Sequence, residues 1–142
     1  MPRISFSENG QTPFEKLLGY NPEILKYWAN LENAFFTKTN QSPELLEQVR
    51  RTLAFGNKCE YCMAKGKPNE THKDKRESLA VAFAQLFVQD HLSITDAQFN
   101  VLREEFTEAE IAELCAFICF ITASQRFGAI MKLKPLEGGK RC

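Results

Sequence analysis

Apolar residues recur every three or four positions along most of the chain. Ile24, Leu25, Trp28, Leu31 and Phe35 make a first stripe, Leu45, Leu46, Val49 and Leu53 a second, and Leu79, Phe83, Leu86 and Phe87 a third. Phe99 and Leu102 follow, then Ile111, Leu114, Cys115, Ile118 and Ile121. That spacing puts each set on one face of an α-helix. Polar punctuation falls where such helices would start. Asn21-Pro22 and Ser42-Pro43 pair a side-chain cap with a proline at the first helical position. Thr95 with Gln98, and Thr107 with Glu110, have capping-box spacing. Gly56 predicts a left-handed C-cap for the second stripe. Asn57 then predicts a cap for a short helix over residues 59–65, which Gly66 and Pro68 end. Residues 65–78 are polar and read as a loop running into a helix start. No stretch alternates cleanly with period two. The pattern predicts an all-α fold, a helical bundle of six or more helices with no sheet. With no linker, repeat or low-complexity stretch, residues 1–142 read as a single domain with a frayed tail over 137–142.

Composition and charge narrow the class. The 142 residues are 44% apolar and 25% charged, as expected of one globular domain with a buried core. Eighteen basic side chains balance eighteen acidic ones, so no net field draws the chain to nucleic acid or to an anionic membrane. Twelve Phe are many for this length. They suit a core or a buried subunit interface, and a homo-oligomer is expected. The first ten residues hold no apolar stretch resembling a signal peptide. The longest apolar run, residues 114–123, is about half of a bilayer span. The expectation is a soluble cytoplasmic protein. In that reducing compartment five cysteines are not a disulfide scaffold and need another explanation.

Cys59-Glu60-Tyr61-Cys62 supplies one. Two cysteines three apart on one helical turn can bring their sulfurs into bonding range. At a helix start, unpaired backbone N–H groups and the dipole favour a thiolate. Lys58 adds a positive charge next to the first cysteine. A thiolate attacks a peroxide or a disulfide, and the partner thiol resolves the sulfenic acid or mixed disulfide. The rival reading is half of a zinc site, which needs four ligands. The other close pair, Cys115 and Cys119, lies four apart inside the apolar run and reads as small core residues. Neither His72 nor His91 has ligand spacing to Cys59 and Cys62. Ligand count therefore favours redox chemistry, with no metal or cofactor expected.

The stretch from Glu47 to Cys62, Glu-Gln-Val-Arg-Arg-Thr-Leu-Ala-Phe-Gly-Asn-Lys-Cys-Glu-Tyr-Cys, resembles the core motif of the carboxymuconolactone decarboxylase family, in its alkyl hydroperoxidase D-like branch. That motif is a glutamate twelve residues before the first cysteine, a helix, Cys-x-x-Cys, and a histidine four residues after the second cysteine. Glu47, Cys59 and Cys62 match in type and spacing. Residues 21–28, 76–97, 106–114 and 125–127 are similar in pattern to the rest of the branch, so most of the chain is covered. The resemblance implies an all-α fold assembled into trimers or hexamers. It implies a dithiol peroxidase or disulfide reductase acting on hydroperoxides, regenerated by a dithiol reductant or a redox partner protein. It also implies a water-mediated proton relay, with Glu47 as the base end and Cys59 and Cys62 as the redox pair. By the same analogy Cys62 lies nearer the relay, whereas the helix-start position favours Cys59. The decarboxylases of the family generally lack the cysteine pair, and that reading loses ground.

The pattern breaks at one place. Gly66 stands where the branch has its histidine. Three side chains are candidate substitutes. Tyr61 would donate a hydrogen bond to the thiolate or to a peroxide oxygen, or pack as an ordinary aromatic. His72 would fold back from its Lys-rich loop, or remain a surface histidine. Lys58 would act through charge. His91 falls near a helix end, where carbonyl groups explain it. The acidic group Glu104, Glu105, Glu108 and Glu110 suits a helix start, and Cys142 has no evident partner. The alternative to an enzyme is a helical binding or assembly protein that kept the fold with weakened catalysis.

Overall fold

Every helix begins where a side chain can take up the first free backbone N–H groups. The structure, a computed structural model, describes residues 1–136. Helix α1 is Pro13–Leu18, opened by a capping box between Thr12 and Glu15. Helix α2 is Pro22–Thr37, capped by Asn21, and α3 is Pro43–Asn57, capped by Ser42. Helix α4, Glu60–Met63, is a single turn capped by Cys59. Helix α5 is Lys75–Asp90 under Asp74, and a short 3-10 turn, His91–Ser93, follows it. Helices α6, Asp96–Leu102, and α7, Glu108–Ile130, open with the Thr95–Gln98 and Thr107–Glu110 capping boxes. Such caps are each worth about 1 kcal/mol. The seven helices come without a strand among the described residues, as the periodicity predicts. The tail expected to fray, with Cys142, lies outside the described residues.

Around the cysteine pair the helix ends differ from expectation. Gly56 does not take a left-handed conformation. It stays inside α3, where a Cβ would run into Val88 of α5, so its value is close approach of two helices. Asn57 is the last residue of α3 rather than the cap of the next helix, and its amide donates to Gln125 Oε1 at 2.9 Å. Lys58 takes the left-handed turn instead, at φ 55°. The cap of α4 falls to Cys59 itself, and the expected helix over 59–65 stops at Met63.

Helix α3 forms the centre. Leu45, Leu46, Val49 and Leu53 are buried against Ala80, Phe83 and Ala84 of α5 and Leu114, Phe117, Ile118 and Ile121 of α7. Each such side chain contributes roughly 1.5–3 kcal/mol by leaving water. Helix α7 is long and apolar enough to pass for a membrane span, but its apolar residues line this core. A second, smaller cluster gathers Leu17, Cys59, Tyr61 and Leu133, with Phe14, Phe127 and Met131 packed on it. Aromatic rings join the two. Phe117 meets Phe35, Phe35 meets Phe120, Phe120 meets Trp28, Trp28 meets Phe127 and Phe127 meets Phe14, with centroids 5.5–6.4 Å apart. Much of the Phe excess thus builds the interior. The α2 stripe is not wholly internal, since Ile24 and Leu31 are exposed together with Tyr20 and Tyr27.

Candidate redox site

Cys59 and Cys62 are joined by a disulfide, with Cα atoms 5.1 Å apart. The local backbone makes that possible. Cys59 is extended, at φ −89° and ψ 104°, because it precedes the first helical residue. Its Sγ turns over the first turn of α4 and accepts the Cys62 N–H at 3.3 Å. The two sulfurs differ in access. Cys59 is fully buried, while Cys62 is half-buried and lines a cavity of about 230 Å³. Phe14, Arg50, Tyr61, Lys65 and Gln125 share that cavity with it.

Behind the pair stands α7. A Cβ placed on Gly128 would lie 2.9 Å from Cys59 Sγ and 3.9 Å from Cys62 Sγ. A helix-interior glycine normally weakens a helix; here it lets the helix touch the disulfide. Three residues earlier, Gln125 is buried and holds α3 to α7. Its Nε2 donates to the Arg50 carbonyl at 3.0 Å, and its Oε1 accepts from Asn57. Ser124 accepts from Trp28 Nε1 at 3.0 Å and also borders the cavity.

The expected base is elsewhere. Glu47 does not line this cavity but a separate open cleft, with Gln48, Asn69 and His72. Arg50 grips both of its carboxylate oxygens, Nε to Oε1 at 3.0 Å and Nη2 to Oε2, and Arg51 Nε adds a bond of 2.9 Å. Burial pushes the carboxyl up, but hydrogen bonds and charge from Arg50, then Arg51 and Lys65, outweigh it and hold the group below its ordinary 4.5. A carboxylate so held is a poor proton acceptor near neutral pH. The structure therefore shows an ion-paired Glu47 where the resemblance implies a relay base.

The other candidates separate as clearly. Tyr61 is buried and shares the cavity wall with Cys62. Lys58 is exposed and serves as the left-handed end of α3, its N–H bonded to the Ala54 carbonyl. His72 is paired with Glu77 at 3.1 Å in the cleft beside Glu47, not folded over the sulfurs. His91 ends α5, as expected. Gly66 has φ +103°, a conformation a histidine would rarely adopt, and a Cβ there would lie 3.8 Å from Arg51 Nη1. Guanidinium thus borders the position at which the branch carries imidazole. The expectation that Cys115 and Cys119 are both core residues holds only partly. Cys115 is half-buried and Cys119 exposed, because that face of α7 looks past Phe87 toward solvent.

Arg50, Gln125 and Gly128 were not singled out by the sequence pattern. A glycine inside an otherwise apolar helix was the available signal for Gly128, since it marks a close approach. Arg50 lay in view three residues after Glu47, a spacing that pairs charges on a helix.

No protein-family model matches the chain, and no curated protein matches it. Among solved structures, the chain is similar to an uncharacterized peroxidase-related protein from Silicibacter sp. TM1040, at 21% identity and a TM-score of 0.77. The match covers 87% of this chain and 75% of that one. At that identity the likeness establishes the fold.

Proposed function

We propose that this protein is a thiol-dependent antioxidant oxidoreductase of the alkyl hydroperoxidase D-like branch, a peroxidase or disulfide reductase that reduces hydroperoxides in the cytoplasm. One observation carries the reading: a Cys59–Cys62 disulfide whose outer sulfur borders a cavity while its inner sulfur is sealed behind it. The fold it shares with a protein described as peroxidase-related supports the same class. In the reduced enzyme the Cys62 thiolate attacks the terminal oxygen of ROOH. The O–O bond breaks, Cys62 becomes a sulfenic acid, and the alkoxide leaves and takes a proton as ROH. Cys59 then attacks the Cys62 sulfur, the disulfide closes, and hydroxide leaves as water with the Cys59 proton. A dithiol reductant or a redox partner protein restores both thiols and is itself oxidised to a disulfide. Cys62 is assigned the attacking role because it alone of the pair reaches the cavity; Tyr61, which lines the same cavity, would donate to a peroxide oxygen.

The test is a single turnover. Reduced protein mixed with excess alkyl hydroperoxide should lose two thiols and form one ROH per chain, with Cys59–Cys62 recovered by peptide mass spectrometry. No thiol loss above that of a denatured control excludes the peroxidase step. Disulfide exchange with a dithiol then decides whether a reductase remains. The second reading, a binding or assembly protein with weakened catalysis, draws on Gly66 and predicts thiols that react no faster than free cysteine. A decarboxylase-type activity has no side chain in its favour. A homo-oligomer, trimer or hexamer, is proposed from the exposed Ile24, Tyr27 and Leu31 along α2 and Tyr20 just before it; a monomer by light scattering removes it.

A further inference from the structure

We propose that the Arg50 guanidinium, set between Glu47 and the cavity that Cys62 lines, is the fixed positive charge that holds reduced Cys62 as a thiolate. The proposal rests on the dithiol reading of the site. Arg50 is an unusual residue to bury, yet its side chain is only 9% exposed. Nε and Nη2 are spent on Glu47, and Nη1 has no acceptor among the described residues. The Arg50 backbone is pinned by Gln125 Nε2, so the side chain leaves α3 from a fixed point.

The charges around the cavity favour an anion at Cys62. From α1 comes Glu15, whose carboxylate is occupied by the N–H groups of Gln11 and Thr12 at 2.8 and 3.2 Å. From α2 comes Glu32, exposed at the rim and screened by water. Helix α3 brings Arg50, with Glu47 and Arg51 behind it. Lys65 follows α4, and Tyr61 lies beside Cys62 on it. Helix α7 offers Ile121, Ser124 and Gln125, none of them charged. Glu60, between the cysteines, is drawn outward to Lys134 Nζ at 2.7 Å. The buried charge among the residues that line the cavity with Cys62 is therefore the arginine. An opposite charge at short range lowers a thiol pKa, and a guanidinium does so at every working pH because it does not titrate.

Glu47 gives the proposal a test with two signs. As a relay base it would activate Cys62; as the anion behind Arg50 it mutes the arginine. The measurement is the pH dependence of Cys62 alkylation in the reduced full-length chain, read by peptide mass spectrometry, so no peroxide is needed. Arg50→Gln should raise the Cys62 pKa by about one unit, which is about tenfold less thiolate at pH 7, and Arg50→Lys should restore much of it. Glu47→Gln should lower the pKa. An unchanged pKa in Arg50→Gln, or a raised one in Glu47→Gln, overturns the proposal. Should Arg50→Gln fail to fold, Glu47→Gln decides alone, since Arg50 then stays in place. Peroxide turnover, measured separately, can fail without touching this result.

Discussion

Cys59 with Cys62 and Cys115 with Cys119 are both pairs one helical turn apart, yet only the first is bridged among the described residues. The difference is one of backbone. Cys59 stands just outside a helix, extended, so its sulfur swings over the first turn toward Cys62. Cys115 and Cys119 are both inside α7, where side chains lean the same way from successive turns. Electrostatics diverge as well. Burial, then the neighbouring Cys119, pushes the Cys115 thiol up, whereas Cys62 shares its cavity with Arg50 and Lys65. Position relative to a helix end and to charge makes a cysteine pair chemical; number and proximity do not.

The largest effect that would break this contrast is loss of turnover. Cys59→Ser and Cys62→Ser should each reduce dithiol-dependent peroxide consumption to the uncatalysed background, while Cys119→Ser retains it. Wild-type turnover in either of the first two would end the dithiol mechanism. Gly128→Ala comes next. Alanine usually stabilises a helix interior by up to about 1 kcal/mol over glycine, but here its Cβ would meet Cys59 Sγ at 2.9 Å. A disulfide cannot give way as a flexible side chain would, so a net loss of about 1–3 kcal/mol is expected by urea unfolding. A gain in stability would show that α7 is not pressed on the bridge.

Acid sharpens the contrast less strongly. The folded Glu47 carboxyl sits below 4.5, so on acidification the unfolded chain takes up its proton first. The stabilisation is present above about pH 4.5 and is lost as pH falls through the lowered value. Glu47→Gln should therefore flatten the fall of stability as pH drops below about 4.5; equal slopes would mean that the arginines do not hold the carboxylate. Smallest is the order of labelling on α7. Iodoacetamide should modify exposed Cys119 before Cys115, and the reverse order would contradict the burial of Cys115.

Much of this was legible in the chain. Pro22, Pro43 and the Thr-x-x-Gln and Thr-x-x-Glu boxes mark four helix starts because capping is a local transaction between near neighbours. The short α1 is not among the helices that the apolar stripes predict, although Thr12-Pro13 and Glu15 carry the same signature. The cysteine pair was visible for the same local reason. Gly56 misled because a glycine near a helix end serves either a left-handed turn or a close contact, and only Val88, far along the chain, decides between them. Glu47 misled similarly. Its spacing to Cys59 is right, but its protonation depends on Arg50 and Arg51, whose side chains close on it only in three dimensions.

Phe14 and Leu17 join the cluster around Cys59 from the first residues described, and Phe127, Gly128, Met131 and Leu133 from far along the sequence. Arg3 ties these ends together, its N–H donating to the Met131 carbonyl at 2.8 Å. A growing polypeptide that has reached residue 100 already carries both cysteines with Phe14, Leu17 and Tyr61, but not the α7 side of their enclosure. The burial of Cys59 is therefore completed only when α7 packs behind the pair. Proteolytic trimming of that helix would uncover Cys59 without touching either cysteine.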